Sequence, residues 1–181
     1  GTTTTAEFDD ASLTRALRNA EEIAKLSPEN PEAMPAIAAQ TYSPVKGYFD
    51  DVAGATPEWR AASAEKALTL SKKKEVVSAG FVETLAAFQA VANSKGVFGY
   101  DRFTAADYNL TARTPDGTGS GWASKSYNEL RLVQPRALAA AATDKAARSN
   151  SPSAMEPGKY TVVLEPAAVA DLITSLLSAA D

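Results

Sequence analysis

The forty residues "EVVSAGFVETLAAFQAVANSKGVFGYDRFTAADYNLTART", Glu75 to Thr114, constrain the fold more than any other part of the chain. They read as two long extended runs joined by Asn93, Ser94, Lys95 and Gly96, a type I turn with glycine where φ turns positive. In the first run Val82, Thr84, Ala86, Phe88, Ala90 and Ala92 share one face, opposite Phe81, Glu83, Leu85, Ala87, Gln89 and Val91. A pattern of period two over this length predicts a β-hairpin, and a hairpin this long needs something to cover one of its faces.

The next stretch, "ARTPDGTGSGWA", places Gly117, Gly119 and Gly121 within five residues. Such a loop can cradle a phosphate with its N–H groups, or simply reverse a strand. A phosphate loop runs from its glycines straight into a helix N-terminus, and the Walker form supplies Lys and then Ser or Thr after the last glycine. Here Trp122 and Ala123 follow Gly121, Lys125 comes too late, and "WASKSYNELRLV" mixes aromatic and polar residues like a returning strand. The expectation is therefore a strand over 103–114, a glycine-rich reversal and a return strand.

Helices flank these strands. After a candidate short strand at Thr2 to Phe8, Asp9, Asp10 and Ser12 offer N-caps to a helix ending near Lys25, with Leu13, Ala16, Leu17, Ala20, Ile23 and Ala24 on one stripe meant for burial. Pro28, Pro31, Pro35 and Pro44 make 27–45 a loop. Thr56, Pro57 and Glu58 open a second helix that closes among Lys72, Lys73 and Lys74. Pro135 opens an alanine-rich helix. "KYTVVLEP" reads as a short strand, and Pro166 starts a last helix whose stripe Val169, Leu172, Ile173, Leu176 and Leu177 is expected to return onto the sheet as core. The fold class is α+β: an antiparallel β-sheet with long hairpin strands, packed by about four helices. The expected organisation is a strand and helix over 1–26, a proline-rich linker over 27–55 and an α+β region over 56–181.

Histidine and cysteine are both absent, which removes imidazole bases, thiol nucleophiles, disulfides and the usual zinc ligands together. The expectation is no metal, no cofactor and no catalytic residue. Eighteen Lys and Arg against 22 Asp and Glu give a net charge of −4, with neither sign bunched into runs of five or more, so neither a nucleic-acid nor a membrane surface is indicated. The lack of cysteine fits a cytoplasmic protein. Glu83, Asp107 and Asp116 are the carboxylates that an acid–base pair would need, but such residues are commoner on solvated sheet faces. Trp59 and Trp122 read chiefly as packing anchors. If the sheet accepts an extended peptide as an added strand, Tyr100, Ser120 and Trp122 are the residues expected to line the groove.

Taken in order, "NAEEIAKLSPENPE", "VANSKGVFGYDRFTA", "ARTPDGTGSGWA" and "MEPGKYTVVLEPAAVADLI" resemble the TldD/PmbA family, also called modulators of DNA gyrase, over essentially the whole chain. The resemblance implies the later part of an N-terminal region plus the middle region. It implies a peptide-degrading metalloprotease made from two related subunits, of which the TldD type carries a His-Glu-x-x-x-His zinc motif. Laid on this chain, the motif falls near Thr174, Ser175 and Ala179, none of which can hold zinc or act as its base, so the resemblance points to the TldE/PmbA type. The implied partners are a TldD-like catalytic subunit, unfolded or extended peptides, and DNA gyrase. The other implied readings are a fragment of an active zinc peptidase whose ligands lie further along, and an adaptor touching gyrase.

Overall fold

The computed structural model describes residues 1–179. The helices are α1 (Asp10–Leu26), α2 (Asp50–Ala53), α3 (Pro57–Lys73), α4 (Pro135–Arg148) and α5 (Pro166–Ser178), and the strands are β1 (Val77–Ala92), β2 (Phe98–Arg113) and β3 (Ser120–Tyr127). The strands form one sheet in the order β1-β2-β3. The α+β class expected from the sequence is the class observed. Two compact units are distinguishable, one made of 1–46 and 88–102, the other of 47–87 and 103–181.

The second unit holds the core. Along β2, Thr104, Ala106, Tyr108, Leu110 and Ala112 are buried, every second residue, as a strand with one covered face requires. Helix α4 lays Ala139, Ala142, Thr143 and Ala146 into the same core, where they meet Ala112 and Ala123. These small residues let helix and strand backbones approach closely. The Thr143 hydroxyl bonds back to the Ala139 carbonyl at 2.9 Å, so the core holds no stranded donor there.

The glycine run is explained by that approach. A Cβ on Gly121 would overlap the Ala142 carbonyl oxygen and come within 2.6 Å of the Ala146 nitrogen, and one on Gly119 would overlap the Ala146 carbonyl. Gly117 serves differently: its φ is +75°, and a Cβ there would meet nothing within 4 Å, so it makes the turn and touches nothing. The loop reverses β2 into β3 with the register Arg113↔Ser120 to Ala106↔Tyr127. The expected hairpin stands.

The segment 47–53 is pinned to the strands by Thr104. The Thr104 N–H donates to the Gly47 carbonyl at 3.0 Å, its hydroxyl donates to the Asn128 carbonyl at 2.9 Å and accepts from the Phe49 N–H at 3.2 Å. Asp51 continues the tie by accepting the Leu130 N–H at 3.0 Å. Helix α3 starts where Thr56 and Pro57 predicted and ends at Lys73, with Ala67, Ser63 and Ser71 buried.

In the first unit, Asp9 caps α1 by accepting the Ser12 N–H at 2.9 Å. The hairpin tip turns as expected: Asn93 Oδ1 accepts from the Lys95 and Val97 amides, and Gly96 has φ +86°. Asn93 also donates to the Ile37 carbonyl at 3.0 Å, fastening the proline-rich segment to the tip.

Four expectations are corrected. No strand forms at 2–8, because the Thr3 hydroxyl bonds the Ala16 carbonyl at 2.7 Å and Glu7 takes Ser12 at 2.6 Å, folding the segment onto α1 by side chains. The α1 stripe is not buried: Leu13, Leu17 and Ile23 are exposed. No strand forms at 159–165 either, and the helix after it does not return onto the sheet; Leu172, Ile173, Leu176 and Leu177 are all exposed, Leu176 by 71%. Periodicity shows that a face is apolar, not that the chain supplies its cover.

Two stability measurements check this arrangement. Gly121→Ala should cost about 1–3 kcal/mol by overpacking α4 against β3, read as a lower urea midpoint, whereas Gly117→Asn should stay near the parent because asparagine tolerates positive φ. Leu176→Asp should leave the melting temperature unchanged, because an exposed charge needs no partner, while Ala142→Asp should unfold the chain.

Candidate functional site

Ser120 and Trp122 stand two residues apart on β3, so their side chains share a face, opposite Arg113 and Thr111 of β2. Both are exposed, Trp122 by 41%. β3 is an edge strand, yet the outer N–H and carbonyl of Ser120 and the carbonyl of Trp122 are taken. The Ser149 hydroxyl accepts from the Ser120 N–H and donates to the Ser120 carbonyl, both at 2.9 Å. Lys145 Nζ donates to the Trp122 carbonyl at 3.2 Å and to the Glu165 carboxylate at 2.5 Å. Lys145 of α4 and the residue that caps its C-terminus, Ser149, thus stand where a fourth strand would pair.

Tyr100 belongs to the other unit. It lies on β2 outside the 106–113 stretch that pairs with β3, its ring stacked on Phe88 with centroids 5.9 Å apart. Together with Tyr42, Val45, Val91 and Phe98 it lines a cleft of about 760 Å³. The three residues named from the sequence are therefore split, Ser120 and Trp122 together and Tyr100 in a cleft of its own unit.

Of the candidate acid–base carboxylates, Glu83 lies on β1, Asp107 on β2 and Asp116 in the glycine turn. Asp116 is spent on the glycine turn, accepting from the Thr114 hydroxyl at 2.5 Å and from the Thr118 amide and hydroxyl at 3.2 and 2.9 Å. Those donors, Thr114 first, hold its carboxyl below the ordinary value of 3.8. Among the described residues, no three His, Cys, Asp or Glu side chains come together as a metal would require.

The sequence gives no warning of a second concavity in the core unit. Between α3 and β1 lies a groove of about 540 Å³, walled by Ala61, Ala64 and Leu68 of α3 and floored by 78–82 of β1 with Tyr108 of β2. Arg60 is the charged residue of its lining. Its guanidinium is fixed at the mouth by donating to Thr84 Oγ1 at 2.9 Å and the Ala55 carbonyl at 3.3 Å. Tyr108 is 1% exposed, burial pushes its hydroxyl pKa up, and that hydroxyl has no hydrogen-bond partner. The available signal was alanine at 61 and 64 beside Leu68, which reads as helix propensity unless a neighbouring strand is known to face it.

Residues 49–150, which include the whole sheet and helices α2 to α4, match the PmbA/TldA metallopeptidase central domain. The chain belongs to the PmbA/TldA family. Two solved structures share the fold. One, a candidate modulator of a DNA gyrase from Thermotoga maritima, superposes with a TM-score of 0.67 at 13% identity over 86% of this chain and 36% of its own. The other, TldE from Thermococcus kodakarensis, gives 0.66 at 19% identity over 78% of this chain and 33% of its own. The chain thus spans about a third of the length of these neighbours. No curated protein matches it significantly. In this PmbA/TldA central domain, no helix among the described residues is long and apolar enough to cross a membrane.

The Asp116 turn carries a pH signature. Because its folded pKa is lowered, the stabilisation is present above the ordinary value of 3.8 and lost as pH falls below it through the folded value. Amide exchange at Thr118 should therefore keep constant protection down to the ordinary value of 3.8 and lose it progressively below, and Asp116→Ala should lose it at every pH.

Proposed function

We propose that this PmbA/TldA central domain is a non-catalytic part of a TldD/TldE-like peptide-processing complex, one that guides extended peptides or holds a catalytic partner subunit. The observation that carries this reading is chemical: a metallopeptidase family fold built on a chain without histidine or cysteine, in which no three carboxylates come together to hold a metal among the described residues. Zinc hydrolysis needs three protein ligands and a general base placed together, and the side chains here do not supply them. A TldD-like catalytic subunit is the partner that such a role requires.

What the domain offers instead is surface for an extended chain: a three-stranded sheet with two edges, a groove against one of them, and exposed aromatic residues at Tyr100 and Trp122. After dialysis of the zinc-loaded chain against a weak chelator, elemental analysis should find no stoichiometric zinc, and the chain alone should not cleave an unstructured peptide. Equimolar retained zinc, or turnover by the chain alone, would contradict the reading and favour an active peptidase.

A further inference from the structure

We infer that the groove between α3 and β1 is a strand-addition slot, and that its occupant is an extended peptide bearing a carboxylate opposite Arg60. The inference rests on the peptide-handling reading above and assigns it a place. Of the two sheet edges, β3 has both outer groups of Ser120 taken by Ser149 and the Trp122 carbonyl taken by Lys145. β1 is the opposite edge, and among the described residues its main chain over 78–82 makes no hydrogen bond outside the sheet. Those five consecutive residues all line the groove, so main chain as well as side chains face it.

Helix α3 makes room for a strand. Ala61 and Ala64 present only methyl groups along its wall, and Leu68, 55% exposed, gives an apolar contact with no present cover. An incoming chain paired with β1 would satisfy edge groups and lay alternate side chains under this wall. Charge selects among such chains: Arg60 is the charged group of the lining, held in place by Thr84 and Ala55, with guanidinium N–H groups beyond the Nη1 that these bonds use. The buried, unpartnered Tyr108 hydroxyl at the floor is a polar group of the kind that native structures leave unpaired only rarely.

Fluorescence anisotropy with a fluorescein-labelled octapeptide of alternating valine and serine ending in glutamate tests the assignment on the full chain. Binding is expected. Methylating alternate peptide nitrogens, which removes several donors at once, should weaken it at least tenfold, more than the loss of a single hydrogen bond would. Ala64→Trp, which fills the groove from an exposed position, should weaken it at least as much, as should Ala61→Trp. Arg60→Gln should remove the preference for terminal glutamate over terminal lysine. Unchanged affinity in both tryptophan variants, with folding intact by circular dichroism, would place the peptide elsewhere and overturn the slot while leaving peptide binding standing. No binding by the parent chain at millimolar concentration would overturn the peptide-handling reading and the slot with it.

Discussion

The approach of α4 to β3 organises the core unit. Gly119 and Gly121 leave no side chain between strand and helix, and the alanine face of α4 leaves almost none on the other side. At that separation Ser149 and Lys145 reach the outer main chain of β3, so the same contact that builds the core also closes one edge of the sheet. A bulkier residue at either glycine would push α4 away, and edge and core would suffer together. Of the glycines that resemble a phosphate cradle, Gly119 and Gly121 serve backbone-to-backbone packing and Gly117 makes the turn.

The remaining sheet edge is handled differently. Helix α3 reaches the core through Ala67 and through Ser71, whose hydroxyl bonds Ser78 of β1 at 2.6 Å. Towards Arg60 the contact gives way to the groove. One edge sealed by side chains and one left beside a lined groove make a sheet that is protected from indiscriminate pairing yet open at one place. That asymmetry, with the absence of histidine and cysteine from the sequence, is what supports the proposed binding role.

Much of this was legible in the sequence because it is local. The period of two in 75–114, the Asn-Ser-Lys-Gly tip, and the Thr56-Pro57 and Pro135 starts each report on a few adjacent residues, and each element formed as read. What failed is what depends on a neighbour. The run Thr161 to Leu164, β-branched at its first three residues, has strand propensity but no edge to join, because Ser149 and Lys145 stand on β3 beside it and Lys145 also holds Glu165. The stripe of α5 announces an apolar face without saying what meets it, and Val163 is 97% exposed in front of it. Of the site residues, Ser120 and Trp122 share a face as their spacing requires, but that their edge is occupied depends on Ser149, twenty-nine residues away.

The central claim, that the two edges of one sheet are unequal, is open to native-state amide hydrogen exchange on the chain without ligand. The account predicts that the Ser120 amide, bonded to Ser149, is protected, while the amides of 78–82 that point away from β2 exchange at rates near those of exposed backbone. Protection of those β1 amides equal to that of Ser120 would contradict it.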